Sequence, residues 1–407
     1  MNLNKYSKLL SFFIILLGWI FIIPFTWLIP RNKNQIILFG NKNGSFLDNI
    51  KYFYLYLKEI KKDKNFFLVT SDKETYNLLK NKYKNILYYP SFIAYRKLLT
   101  CGTFVADNNT WMNNCRFQFL RGANIIQIWH GIGFKKIQRC NKKFIAETSS
   151  LYLRFYLNIV GKLPFYNALI STGTFFTERV FKPAFISDYF INTGYPRNDI
   201  LVNPNKYEKA YINTDQKTIN EVKEFKKKGA KCIVYAPTFR DTGGDAILDG
   251  IINLKNLNLF ALENNFVFVF KFHPLPEYTS ITEKFDRILW YENVKDIYPF
   301  LHMADAMISD YSSIYLDYLL LNRPIFLFLY DREKYETEDR ELHPFYNDFI
   351  LGDISKNQCE LQTQISNTLN GNDNYSEIRK TIINKSHNFV DDNSSQRIYH
   401  FIKEKYL

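Results

Sequence analysis

Residues 307–330 read MISDYSSIYLDYLLLNRPIFLFLY. Met307 and Ile308 close an apolar run, and Ser309, Asp310, Tyr311, Ser312 and Ser313 form a polar turn after it. Apolar residues at helical spacing follow to about Leu321. Asn322-Arg323-Pro324 ends that helix, because proline cannot continue it, and Ile325 to Leu329 is a continuous apolar run of buried-strand type. Strand, polar turn, helix and strand in that order make one parallel βαβ unit. Its turn offers backbone N–H groups and two hydroxyls at a helix start, a setting that suits phosphate. Asp317 lies four residues after Ser313 and shares its helix face. Asp310, Ser312 and Ser313 are also ordinary helix-capping residues, so the turn alone assigns no ligand.

The same rhythm extends in both directions. Asn34 to Gly40, Asn65 to Thr70, Asn85 to Tyr89, Thr103 to Asp107 and Asn167 to Thr172 are short apolar runs alternating with helical patterns. Such alternation predicts a parallel, doubly wound α/β sheet. Lys231 to Tyr235 and Phe266 to Phe270 repeat it in the second half. The polar stretch Asn203 to Thr218 places a domain boundary near 205–225. The division expected is 1–33, 34–210 and 211–407, with the final helix packing back on the body.

At 407 residues the chain suits two domains, and 46% hydrophobic residues supply their cores. Leu9 to Pro30 carries no charge and lies between Lys5, Lys8, Arg31 and Lys33. It is long enough to cross a bilayer, no cleavage-type small-residue site follows it, and it is expected to be a membrane anchor. Pro24 leaves open a bent helix confined to one leaflet. The net charge of +13 favours acidic partners. Lysines are spread along the chain without a nucleic-acid-binding motif, so nucleic acid is not expected among them. The 5 cysteines are scattered, with no CxxC, which fits free thiols and neither a disulfide frame nor a metal site. GxGxxG is absent, so a nicotinamide or flavin cofactor is not expected.

Residues 123–137, ANIIQIWHGIGFKKI, set His130 at the carboxyl end of a strand, followed by Gly131, Gly133, Lys135 and Lys136. Ligands of open α/β sheets bind at strand carboxyl ends, so His130 is a candidate general base. Arg240 and Asp241 follow the strand at 231–235, and Lys271 and His273 end the strand at 266–270.

Taken together, FGNKNGSFLDN (39–49), QIWHGIGFKKI (127–137), TGYPRNDIL (193–201), YAPTFRD (235–241), KFHP (271–274), ISDYSSIYLDYLLLNRPIFLF (308–328) and YDREKYETEDRELHPFYNDF (330–349) resemble the CDP-glycerol glycerophosphotransferase family. The blocks run in family order across most of residues 35 to 350. Ile132-Gly133-Phe134, Phe239 and Phe272 depart from the usual family residues. The resemblance implies a GT-B architecture, in which two Rossmann-like domains face a central cleft and the nucleotide sits on the C-terminal one. It implies a protein at the inner leaflet, a CDP-glycerol or related CDP-polyol donor, and a lipid-linked or growing polymer acceptor.

In that reaction an acceptor hydroxyl attacks the distal phosphorus and CMP leaves, with positioning and charge neutralisation carrying the catalysis. His130 is then the base, and Asp310 orients the serine turn or a histidine. Arg240, His273, Ser312, Ser313 and Asp317 hold the donor pyrophosphate, while Gly131, Lys135 and Lys136 meet the acceptor. No metal and no cofactor are called for. Two rivals stand beside this reading: a nucleotide-sugar glycosyltransferase on the same scaffold, and a basic membrane-anchored binding protein.

Overall fold

The computed structural model describes residues 3–113, 116–272, 284–371 and 373–407. The chain forms two compact units, the first Met1–His130, Ile137–Asp199 and Asn393–Leu407, the second Gly131–Lys136 and Ile200–Asp392. The division expected near residue 210 thus lies at Ile200, and six residues after His130 belong to the second unit.

The first unit holds β1 (Asn32–Phe39), β2 (Phe66–Thr70), β3 (Ile86–Tyr88), β4 (Cys101–Ala106), β5 (Asn124–Gln127), β6 (Tyr166–Ser171) and β7 (Ser187–Asn192). They lie in the order β3-β2-β1-β4-β5-β6-β7, and the pairing is parallel throughout, with Ile37 opposite Phe104 across β1 and β4. Ile36 to Phe39 and Phe104 to Ala106 are buried, which explains why these strands read as unbroken apolar runs. The closing helix Ser394–Tyr406 is tied to this unit by Asp199, whose carboxylate accepts from the N–H of Ser394 (2.8 Å) and Ser395 (3.1 Å). A Cβ on Gly194, at φ +79°, would come within 2.5 Å of the Ser394 hydroxyl. Thr193, Gly194 and Asp199 therefore fasten that helix.

The second unit holds β8 (Lys231–Tyr235), β9 (Phe266–Phe270), β10 (Ile288–Trp290), β11 (Ala306–Ser309), β12 (Ile325–Phe328) and β13 (Ile354–Ser355), ordered β10-β9-β8-β11-β12-β13 and all parallel. The decisive stretch is β11, a helix Ile314–Tyr318, a tighter turn Leu319–Leu321, and β12, with Met307 opposite Ile325. Asn322, at φ +47°, takes the left-handed conformation that ends the helix. Ile233, Phe268, Phe270, Ile308 and Phe326 fill the core.

Both sheets reverse their strand order once, between β1 and β4 and between β8 and β11. Open α/β sheets bind ligands beyond the strand carboxyl ends at such points. The N-terminal helix Leu3–Leu28 runs through Pro24, and its Leu10–Leu28 segment is long and apolar enough to cross a membrane. Two helices that the apolar pattern did not reveal, Lys142–Ser149 and Leu151–Ile159, follow β5.

Candidate functional site

His130 is exposed, one step beyond the end of β5, with its ring stacked on Trp129 at 4.3 Å. Its Nδ1 lies 3.0 Å from the Asp107 carbonyl oxygen. A carbonyl only accepts, so this bond has Nδ1 as the donor and fixes the orientation of the ring. The backbone that presents the ring is strained, since Trp129 has φ +47°. Asn49 Nδ2 donates to the Trp129 carbonyl at 2.7 Å, and the Asn49 side-chain oxygen accepts from the N–H of Arg197 at 3.2 Å. Arg197 Nη1 in turn donates to the His130 carbonyl (2.9 Å) and to Asp48 (2.6 Å). Asp107 is fully buried, and burial, reinforced by the charge of Asp48, pushes its carboxyl well above the usual range. Asp48 and Asp107 follow β1 and β4, so the network sits at the switch point of the first sheet.

Asn49→Ala is expected to leave the Trp129 carbonyl buried and unsatisfied. The cost is about 1–3 kcal/mol of stability, read from the urea midpoint, and kcat is expected to fall with donor KM unchanged.

In the second unit, Arg240 is 4% exposed. Its Nε and Nη2 fork onto Asp331 at 2.7 and 3.0 Å, and Nη1 donates to Asp310 at 2.8 Å and to the Thr238 carbonyl at 2.6 Å. Tyr311, Tyr330 and Tyr335 rings surround it at 5.3, 5.7 and 4.9 Å. Burial works against its charge, but Asp310 and then Asp331 outweigh that and hold it firmly protonated. The guanidinium expected to grip phosphate is thus largely committed within the protein, and it organises the turn at 310–313. Asp310, 1% exposed, also accepts from the Thr238 N–H at 2.8 Å. It locks the turn after β8 to the turn after β11, at the switch point of the second sheet.

Ser312 and Ser313 are half-buried, and Ser313 stands at the helix N-cap without a side-chain capping bond, so its hydroxyl is not spent as the capping reading supposed. Asp317 differs from expectation. It is fully buried and accepts from the Tyr298 hydroxyl at 2.8 Å, because the short helix turns that face into the core. It serves as an internal acceptor and is withdrawn from any donor. His273 lies outside the described residues.

Gly131, Lys135 and Lys136 were expected on the acceptor side, yet they belong to the second unit. Gly131 turns at φ +137°, Phe134 packs on Tyr315, Tyr346 and Phe349, and Lys135 pairs antiparallel with Leu342. Lys136 forms an ion pair with Glu341. The strap passes close to Ser313, whose Cβ lies 3.9 Å from where a Cβ on Gly133 would stand. Lys135 Nζ lies over the Tyr335 ring at 5.8 Å. Withdrawal from water, aided by Arg340 and Arg240 and opposed by Asp310 and Asp241, lowers it to about 8.

The stretch 330–349 is a chain of short helical turns. It supplies Asp331 and Tyr335 to Arg240, Asp339 to Thr242, and Arg340 to Asp241. Reading the sequence missed Asn49, Arg197, Asp107 and Asp331. Asn49, Arg197 and Asp331 stand inside the quoted blocks, and Asp107 directly follows a strand.

The family model for CDP-glycerol:poly(glycerophosphate) glycerophosphotransferase matches residues 21–404. A teichoic acid poly(glycerol phosphate) polymerase of Bacillus spizizenii is 30% identical over 335 residues, 79% of each chain. A teichoic acid glycerol-phosphate transferase of Staphylococcus aureus is 29% identical over 387 residues, 90% of this chain and 92% of the other. A solved structure of the wall teichoic acid polymerase TagF with CDPG aligns over 100% of this chain and 98% of that one, with a TM-score of 0.74 at 21% identity, and so shares the fold. With the match reaching from the N-terminal helix to the closing one, the chain is an enzyme of the CDP-glycerol:poly(glycerophosphate) glycerophosphotransferase family.

Proposed function

We propose that the protein transfers a glycerol-phosphate or related polyol-phosphate unit from a CDP-activated donor to a hydroxyl of a lipid-linked or growing surface polymer, teichoic-acid-like or capsular. In this reading the first unit serves the acceptor and the second holds the CDP donor, the division of labour of a GT-B transferase, at the cytoplasmic face of the membrane. His130 Nε2 takes the proton of the acceptor hydroxyl, whose oxygen attacks the distal phosphorus. The bond from that phosphorus to the bridging oxygen breaks, and CMP departs with the oxygen. The Ser312 and Ser313 hydroxyls and the Lys135 ammonium meet the phosphate charge, and Arg240 keeps their turn in place.

The observation that carries the reading is the position of His130. The residue is exposed one step beyond the carboxyl end of a strand, and its ring is oriented by the contact of Nδ1 with the Asp107 carbonyl at 3.0 Å. A donor panel tests it. CMP released from CDP-glycerol or CDP-ribitol with a lipid-linked acceptor supports the proposal. UDP formed from a UDP-sugar favours the nucleotide-sugar glycosyltransferase. Salt-sensitive binding of polyanions with no CMP from any donor favours the binding protein.

Lys135 adds a pH dependence. Its ammonium is present below about 8 and lost above, so donor KM is expected to rise as pH passes that value. Lys135→Gln should raise donor KM about 10–100-fold at pH 7, the worth of one charged hydrogen bond. Lys135→Arg should remove the step near pH 8. Stability moves the other way. An unfolded lysine holds its proton to about 10.4, so the unfolded state binds more protons between the two values and stability rises with pH there.

A further inference from the structure

With Gly131, Lys135 and Lys136 in the second unit, the first unit lacks the acceptor contacts that the sequence suggested. The chain returns to the first unit at Ile137, and the stretch that follows is strongly basic. Residues 137–165 hold Arg139, Lys142, Lys143, Arg154 and Lys162 against Glu147 alone. One helix is enough to join neighbouring parallel strands, yet β5 and β6 are joined through two, Lys142–Ser149 and Leu151–Ile159. The Asn141 side chain starts the first, accepting from the N–H of Lys143 at 2.9 Å, and Ser150 starts the second, accepting from that of Leu153 at 3.5 Å. Gln138, which opens the connection, is held in the left-handed region at φ +46°. For a residue with a Cβ that conformation costs energy and persists only where the surroundings impose it.

A cavity of about 200 Å³ lies between this connection and the segments leading into β6 and β7. Phe144, Leu163 and Phe185 give it an apolar wall, and Gln138, Arg139 and Arg154 a polar one; among the described residues no carboxylate lines it. Neither the Arg139 nor the Arg154 guanidinium has an ion-pair or hydrogen-bond partner among the described residues. Arg31, Arg116, Arg197 and Arg240, by contrast, are each tied into the protein. Two uncommitted guanidinium forks beside an apolar wall suit a phosphate ester and the carbons attached to it. The cavity also reaches toward the proposed base. Phe185, 5% exposed, stands edge-on to Trp129 at 4.7 Å, and Trp129 stacks on His130 at 4.3 Å. A single indole thus separates the cavity wall from the imidazole, and all of these residues belong to the first unit.

We propose that this cavity is an acceptor subsite. Arg139 and Arg154 bind the phosphate that lies behind the reacting hydroxyl, and Phe144, Leu163 and Phe185 hold the carbon skeleton attached to it. This rests on the transfer reading above and names the part of the acceptor that the first unit grips. Two acceptors share that chemistry: a lipid-diphosphate saccharide and a growing polyol-phosphate chain. The test uses the full chain carrying Arg139→Gln and Arg154→Gln together. Both side chains are exposed, so the fold is expected to survive, as an unchanged urea midpoint would show. Three acceptors ending in the same glycerol are compared: a soluble oligo(glycerol phosphate), a short-chain lipid-diphosphate saccharide, and a phosphate-free glyceryl glycoside. Relative to the phosphate-free compound, KM for a phosphate-bearing acceptor is expected to rise about 10–100-fold, the worth of a charged hydrogen bond. A rise confined to the oligomer assigns the cavity to a phosphodiester of the growing chain, one confined to the lipid assigns it to the diphosphate, and a rise with both assigns it to either phosphate. Leu163→Glu, which sets a carboxylate in the cavity and leaves both arginines in place, should raise the same KM. Wild-type KM for both phosphate-bearing acceptors in these variants, or an equal rise with the phosphate-free one, would overturn the subsite while leaving the transfer reading standing. Absence of CMP release by the wild-type chain with all three acceptors would overturn the transfer reading itself, and the subsite with it.

Discussion

His130→Ala is expected to lower kcat for transfer by about 10²–10⁴-fold, the usual contribution of a positioned general base, while CDP-glycerol still binds. The split follows from where the residue stands. In the proposed division of labour His130 serves the acceptor, whereas the serine turn and the Lys135 strap hold the donor, so the loss is expected in turnover and not in donor affinity. His130→Asn should fare no better, because the amide can bond the Asp107 carbonyl but offers no basic nitrogen. Steady-state turnover and calorimetric titration of CDP-glycerol on the same preparation check both halves. Near-normal turnover would remove His130 from the base role, and lost binding would place it on the donor.

Arg240→Ala is expected to act on the other side and to cost the protein stability as well. Two carboxylates, Asp310 at 2.8 Å and Asp331 at 2.7 Å, depend on that guanidinium, whose side chain is 3% exposed. Removing one partner from a buried ionic network typically costs about 3–5 kcal/mol. The turn that carries Ser312 and Ser313 loses its anchor at the same time, so donor affinity should fall sharply. Arg240→Lys should rescue little, because an ammonium cannot span Asp331, Asp310 and the Thr238 carbonyl with one planar fork. Urea unfolding and donor titration read the two effects separately. A variant with wild-type stability and weakened donor binding would show instead that Arg240 spends its charge on the substrate.

The βαβ unit at 307–330 was legible because all its determinants are local: two apolar runs, a polar turn and a proline stop. The alternation that predicts two parallel sheets is legible for the same reason, since buried parallel strands are unbroken apolar runs. What the sequence hides is long-range. Arg240 and Asp331 lie 91 residues apart, so no spacing reveals that the arginine is already engaged. The strap 131–136 follows a first-unit strand without a break in the pattern, and long-range ties such as the Lys135–Leu342 bridge and the packing of Phe134 on Tyr315 show that it belongs with the second unit. Asp317 was read on helical geometry alone, which gives its face but not what covers that face. The helix Leu151–Ile159 escaped because its aromatic and aliphatic side chains face outward, which periodicity cannot tell from a core.

The central claim is that the distal phosphoryl group of a CDP-polyol migrates and the nucleotide leaves as CMP. It is tested most directly with CDP-glycerol labelled in separate preparations at the proximal and at the distal phosphorus, turned over on a lipid-linked acceptor. The distal label is predicted to enter the polymer in full and the proximal label to remain in CMP. Recovery of both labels in CDP would show that the carbon–oxygen bond of the polyol had broken, and would contradict the account.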